Sequence, residues 1–193
     1  MPIEDRRERE RAARRRLIIT TARSLAEAEG WDAVTTRRLS TEIEYSQPVL
    51  YKHFTGMEQI AAAIAVDGFG ELAEVIRTAR SDADTASDAL FRIAKAYSNF
   101  ARDNPSVYDA MFTRVTTLPF AAEDTPPELT AAFGELRQVV GLVAGDRDAD
   151  ALTEVLFSAL HGLVVLDRAG RLRPGHDSER LRLLVDQFAD GAL

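Results

Sequence analysis

Two strings in the first third of the chain gather side chains that can read or hold a nucleic acid. One is Thr35-Thr36-Arg37-Arg38-Leu39, and the other is Ser46-Gln47-Pro48-Val49-Leu50-Tyr51-Lys52-His53-Phe54. An arginine guanidinium can donate two hydrogen bonds to guanine O6 and N7, a glutamine amide matches adenine N6 and N7, and a proline ring offers apolar contact to a thymine methyl. Tyrosine, lysine and histidine supply donors suited to phosphate oxygens. The bland reading of the same residues is an arginine pair in solvent and a helix surface with no assigned task.

Such side chains act only if the local structure aims them. Thr35 can cap a short helix, because its hydroxyl accepts an orphan amide of the first turn, and Leu39 and Ile43 then face inward. A third short helix follows Ser46, a good cap, with Pro48 in the first turn where its missing amide hydrogen has no helical partner. Leu50 and Phe54, four apart, anchor that helix and leave Gln47, Pro48, Tyr51 and Lys52 outward. Two short helices a few residues apart, the second opening with exposed polar groups, make the helix-turn-helix geometry that fits a major groove. Ahead of them Leu17, Ile18, Thr21, Ala22, Leu25 and Ala26 form one face of a helix placed at 10–29, which Gly30 ends.

The rest of the chain also reads as helix, and no run alternates like a strand. A long helix from Met57 to about Arg80 carries Ile60, Ile64, Phe69, Leu72, Ala73 and Ile76, and Ser81-Asp82-Ala83-Asp84 follows as a turn. Helices are expected near 85–103, through Tyr108, Met111 and Phe112, near 127–143 and near 148–168, with a loop over 115–127. After Pro174-Gly175 a final helix presents Leu181, Leu184, Val185 and Phe188. The expected fold is all-α, with about nine helices.

The net charge of −7 looks wrong for a DNA binder until its distribution is counted. Residues 1–55 carry 11 Lys+Arg against 9 Asp+Glu, a balance of +2, which leaves −9 for the remainder. Phosphates respond to charge within about one Debye length, so a basic face on a mildly basic head suffices. Arg6, Arg7, Arg9, Arg11, Arg14, Arg15 and Arg16 are interleaved with Glu8 and Glu10, so this run is either a self-paired helical extension or a DNA arm. The absence of cysteine suits a reducing compartment and excludes disulfides and thiolate metal sites. No stretch reads as a secretion signal or approaches a membrane span. The expectation is a cytoplasmic protein with no membrane partner, no metal and no cofactor.

The two strings resemble the DNA-binding signature of the TetR family, over roughly residues 14–65. The resemblance implies that Thr36 and Arg37 open the second helix, that Ser46 starts the recognition helix, that Gln47, Pro48 and Val49 point at bases, and that Tyr51, Lys52 and His53 hold phosphates. Two departures stand out. Glu44 occupies the turn position where the family usually has glycine, so either the turn differs locally or strain is tolerated. Met57 stands where a lysine commonly holds a phosphate, so affinity leans on the N-terminal arginines.

Residues 97–112 and Phe157-Ser158-Ala159-Leu160-His161-Gly162 resemble the TetR effector-domain subclass named for a Trp-His-Gly signature, with phenylalanine in place of the tryptophan. This implies a DNA-binding domain at 1–56 and a ligand-binding and dimerisation domain at 57–193. The implied effector pocket uses Tyr97, Phe100, Tyr108, Met111, Phe112, Phe133, Phe157 and His161, each of which also fits plain core packing. The implied dimer interface uses Leu156, Leu160, Leu163, Leu181, Leu184, Val185 and Phe188. The terminal helices carry more apolar surface than a lone hairpin needs, and a four-helix arrangement about a two-fold axis would bury it. The resulting expectation is a homodimeric repressor, released from a near-palindromic double-stranded operator by a small apolar or amphipathic effector.

Two rival classes are weighed against it. An enzyme would need a nucleophile elbow, a phosphate-binding glycine loop or metal-spaced ligands, and none occurs; the three histidines, His53, His161 and His176, sit in separate segments. A helical interaction protein without DNA binding explains the acidic body but leaves Arg37, Gln47 and Tyr51 unexplained, and a DNA-binding module without ligand control is the further alternative.

Overall fold

The computed structural model describes residues 3–81, 83–114 and 118–189, with side chains from Asp5 onward. Asp82 of the expected turn and residues 115–117 of the expected loop lie outside the described residues. Among the described residues there are nine α-helices, one short 3-10 turn at Trp31–Ala33 and no strand. The helices are α1 Ile3–Glu29, α2 Thr36–Glu42, α3 Gln47–Tyr51, α4 Met57–Ser81, α5 Ala86–Asp103, α6 Pro105–Phe112, α7 Pro127–Val143, α8 Ala149–Arg168 and α9 Asp177–Ala189. The all-α expectation stands, and the bounds differ mainly at the start.

There α1 begins at Ile3 rather than near residue 10. No proline or glycine interrupts residues 3–29, and the arginine run supports itself along the helix. Arg6 Nε pairs with Glu10 at 2.9 Å, and Arg9 Nε donates to the Asp5 carbonyl at 3.1 Å. The buried face of α1 is Ile18, Ala22, Leu25 and Ala26, whereas Leu17, read from sequence as part of it, is 42% exposed.

The chain divides into two compact units, Met1–Gly68 with Asn104–Phe120, and Phe69–Asp103 with Ala121–Leu193. The first unit takes in the start of α4 and all of α6, whereas the sequence expectation placed a boundary at residues 56/57. Within that unit α6 docks on α1 through polar contacts that a helix terminus requires. The capping residue Asn104 makes no cap bond of its own; instead the Glu27 carboxylate accepts from the amides of Ser106 and Val107, at 3.2 and 3.1 Å. Ser106 Oγ donates to the Ala26 carbonyl at 2.7 Å, and Trp31 Nε1 donates to the Ser106 carbonyl at 2.9 Å. The Arg114 guanidinium lies 4.6 Å from the Trp31 ring centroid. Helices α4 and α6 approach so closely at Gly68 that an added Cβ would stand 2.5 Å from Val107 Cγ1.

In the second unit α5 packs against α7, α8 and α9. Its apolar stripe of Leu90, Ile93, Ala94, Tyr97 and Phe100 is buried, as the three-and-four spacing predicts. Asp148 caps α8 by accepting from the amides of Asp150 and Ala151, at 2.8 and 3.2 Å. Arg147 donates to the carbonyls of Val143 and Phe188, at 2.6 and 3.0 Å, tying the end of α7 to the end of α9. Arg77 Nε and Arg80 Nη2 both reach the largely buried Glu135, at 3.1 and 3.0 Å.

Burial in the terminal helices bears on the expected dimer interface, and one further expectation needs correction. Leu156, Leu160, Leu181, Val185 and Phe188, assigned to a dimer interface, are buried within the chain itself, and Leu163 and Leu184 are half-buried. The large apolar side chains these helices leave exposed are Val155, Val165, Leu166 and Leu183. Helix α8 is long and apolar enough, by length and composition alone, to cross a membrane, contrary to the expectation that no stretch approaches that length. Its Thr153, Leu156, Leu160 and Val164 are nevertheless buried in the unit.

Candidate nucleic-acid interface

The helix-turn-helix is built as its sequence demands. Thr35 has extended backbone and its Oγ1 accepts from the Arg38 amide at 3.1 Å, starting α2. Leu39 and Ile43 turn into the core, at 0% and 8% exposure. The helix ends in a left-handed cap: Tyr45 N donates to the Ser40 carbonyl at 3.0 Å, and Glu44 N to that of Thr41 at 3.4 Å. Glu44 itself has φ 56°. The turn therefore keeps the geometry glycine would favour, and a charged L-residue tolerates the strain.

Helix α3 opens at Ser46, whose backbone is extended but whose side chain makes no cap bond. Ser46 is thus a cap by backbone position only, and its carbonyl accepts from Val49 N at 2.9 Å. Pro48 falls in the first turn. Leu50 and Phe54, at 1% and 2% exposure, fix the helix to the core. Ser46, Gln47, Pro48, Tyr51 and Lys52 are exposed, while Val49 and His53 are half-buried. The outward face read from the sequence is the face the structure presents.

The two neighbouring arginines have different fates, which sequence alone did not separate. Arg38 is engaged by Glu29 at 3.1 Å and Glu42 at 2.9 Å, so it holds α2 to the end of α1. Arg37 is exposed, and among the described residues its guanidinium makes no ion pair. Thr36, beside it, is half-buried, and its carbonyl accepts from Ser40 Oγ at 2.8 Å. Arg15, one of the run of arginines in sequence, is a structural residue. Its guanidinium lies 4.2 Å from the Phe54 ring centroid and its Nη1 donates to the His53 carbonyl at 3.2 Å, so it pins α1 to the end of α3.

His53 is surrounded by charge. Burial lowers its proton affinity first, and Arg11, Arg14, Arg15 and Lys52 lower it further. Its proton affinity therefore lies below that of an ordinary imidazole, and a nearby anion would raise it.

The aromatic set assigned to an effector pocket is divided between the two units. Tyr108, Met111 and Phe112 belong to the first; Tyr97, Phe100, Phe133, Phe157 and His161 belong to the second. In the second, the Tyr97 and Phe157 rings meet edge to face at 6.3 Å and Phe157 stacks on His161 at 6.0 Å. Burial pushes the His161 pKa down. In the first, the Tyr108 and Phe112 centroids are 4.7 Å apart. Tyr97, Phe100, Tyr108 and Met111 are buried, and Phe112, Phe133, Phe157 and His161 are half-buried.

A capped α2, a tight left-handed turn and an α3 carrying an exposed polar face define a helix-turn-helix DNA-binding protein. Residues 18–64 match the family model described as bacterial regulatory proteins, tetR family, and residues 90–188 match a tetracyclin repressor-like C-terminal domain. An uncharacterised HTH-type transcriptional regulator of Mycobacterium tuberculosis, Rv0681, is 31% identical over 163 residues, covering 81% of this chain and 71% of that protein. A solved structure of a protein with unknown function from Rhodococcus sp. RHA1 superposes with TM-score 0.77 at 25% identity, covering 92% of this chain and 94% of that one. The TetR family transcriptional regulator PfmR from Thermus thermophilus shares the fold, with TM-score 0.62 at 18% identity and 92% and 99% covered. The chain belongs to the TetR family of helix-turn-helix transcriptional regulators, which are DNA-binding proteins and not enzymes.

Proposed function

We propose that the chain works in the cytoplasm as a homodimeric repressor that holds a near-palindromic operator and lets go when a small apolar or amphipathic molecule enters the C-terminal domain. The observation that carries the DNA half is the recognition face: Gln47, Pro48 and Tyr51 stand exposed on α3, and Arg37 is uncommitted to any ion pair among the described residues, over a base of buried Leu39, Ile43, Leu50 and Phe54. Arg37 and Gln47 read base edges, Pro48 and Val49 add apolar contact, and Tyr51, Lys52 and His53 hold phosphates. One such face spans only a few base pairs, so two copies about 34–36 Å apart on successive turns supply the specificity.

Selection of bound sequences from random duplexes tests this directly. The expected outcome is a two-fold symmetric site whose preference collapses in the double variant Arg37→Ala, Gln47→Ala. Recovery of an asymmetric site, or an unaltered preference in the double variant, refutes it.

For release, α4 is the natural conductor, because it runs continuously from the first unit into the second. A ligand that prefers one arrangement of the C-terminal helices shifts the spacing of the two heads, and both then fail to dock. A second reading, a DNA-binding module without ligand control, draws support from the burial of Tyr97, Phe100, Tyr108 and Met111 as ordinary core. A panel of apolar small molecules separates the two: under the first reading one of them raises the unfolding temperature and lowers operator affinity together.

A further inference from the structure

The recognition face is not the only concentration of positive charge in the first unit. Arg7, Arg11 and Arg14 follow one another at four- and three-residue spacing, so they share one side of α1. Together with Glu10, Lys52 and His53 they line an open cleft of about 530 Å3. Arg7, Arg11, Arg14 and Lys52 are exposed, and among the described residues no ion pair engages them. The one acid lining the cleft, Glu10, is paired with Arg6 at 2.9 Å, which keeps its carboxyl below the usual range. Arg15 fixes the geometry from behind through Phe54 and the His53 carbonyl.

Two members of the cleft, Lys52 and His53, also close the recognition string, so cleft and recognition face are continuous. The cations beyond them lie ahead of residue 18, where the match to the N-terminal family model begins. From Arg7 to Arg14 is seven residues, roughly 10 Å of helix axis. That is too long for one phosphate group and suits a strand whose charges succeed each other every ~3.4 Å along the duplex axis.

We propose that this cleft grips the sugar-phosphate backbone of the operator duplex, with Arg7, Arg11 and Arg14 extending the hold of Lys52 and His53 beyond the bases that α3 reads. The arginine run is then both things its sequence allows: a self-supporting helix and a sequence-independent clamp. The proposal deepens the operator-binding reading and rests on it.

The test is the salt dependence of binding to a mixed-sequence duplex, for the full chain and for the variant Arg7→Ala, Arg11→Ala, Arg14→Ala. Each lost phosphate contact removes about 0.9 from the slope of log K against log salt, so the slope should become shallower by about 2 to 3. The same variant should weaken binding equally on the selected operator and on mixed sequence, while the operator it prefers stays the same. The triple arginine-to-lysine variant should restore the slope, since counterion release counts charges. All three side chains are exposed, so truncating them leaves the core intact.

An unchanged slope in the alanine variant overturns the clamp and leaves the operator reading standing. A loss confined to the selected operator also overturns it, because that signals base reading. Inorganic pyrophosphate supplies the last arm: if it raises the unfolding temperature of the full chain but not of the alanine variant, while both bind duplex with one slope, the cleft serves a free phosphate ligand and the clamp is wrong. A full chain that binds no duplex sinks both readings.

Discussion

Glu44 and His53 show how single residues set the quality of the DNA-binding face. A non-glycine residue in the left-handed region costs about 1–2 kcal/mol, part of which glycine would return through its larger unfolded-state entropy. Glu44→Gly should therefore stabilise the protein by about 0.5–1 kcal/mol in urea unfolding and tighten duplex binding by removing a negative charge. Loss of stability would mean that the Glu44 side chain supplies a contact beyond the turn. His53 is faced by Arg11, Arg14, Arg15 and Lys52, with Glu10 lining the same cleft, and it is held below the ordinary imidazole range near 6.5 by burial and then by those cations. A phosphate reverses that balance, so binding takes up a proton. Duplex affinity should rise as pH falls toward the depressed value of the free protein, and the rise should vanish in His53→Gln; an equal rise in that variant assigns the proton elsewhere. The effect on folding has the opposite sense. With the folded value depressed, this contribution to stability is complete above the unfolded value and is lost as pH falls through the folded one.

At the scale of elements, the contact of α4 with α6 is a tightly packed joint in the first unit. An alanine Cβ at Gly68 would stand 2.5 Å from Val107 Cγ1 and 2.9 Å from Met111 Sδ, and Val107 is fully buried. Overpacking of this kind costs about 1–3 kcal/mol, against about 1 kcal/mol of helix propensity gained. Gly68→Ala should therefore destabilise by up to ~2 kcal/mol. At Gly141 on α7 an added Cβ meets nothing within 4 Å, so Gly141→Ala should raise stability by up to ~1 kcal/mol. Thermal unfolding of the two variants should shift in opposite directions, and a shared sign would show that packing at Gly68 yields. The same joint gives α6 a role the sequence did not announce. Glu27, Trp31 and Arg114 hold it within the DNA-binding unit, although its residues read as part of the body.

For the whole molecule, the proposed dimer needs a surface on which two copies can meet. Along α8, Val155, Ala159, Gly162 and Leu166 recur at four-, three- and four-residue spacing. Val155 and Leu166 are 56% and 45% exposed, and an added Cβ at Gly162 meets nothing within 4 Å. That stripe, with Leu183 of α9, is the surface we assign to the two-fold interface, in place of the buried leucines named from sequence. Val155→Glu combined with Leu166→Glu should give a folded monomer in sedimentation, with operator affinity reduced by at least ~100-fold through loss of the second head. A dimer of unchanged stability in that variant would place the interface elsewhere.

Local chemistry made much of this protein legible before any coordinates. Thr35 capping, Pro48 in a first turn, the i to i+4 pair of Leu50 and Phe54, and the breaks at Gly30 and Asn104-Pro105 are decided within a few residues, so helix order and the outward face of α3 could be read directly. The resemblance to the family motif then implied roles for those residues. Choices among equivalent local options were decided only by tertiary structure. Arg37 and Arg38 are identical side chains in sequence, and Glu29, brought back by the end of α1, commits one of them and not the other. Leu156 and Leu166 are equally apolar, and only the packing of α8 on α5 and α7 turns one inward. Periodicity says that a helix has an apolar side, but which of its apolar residues that side contains depends on partners far away in the chain.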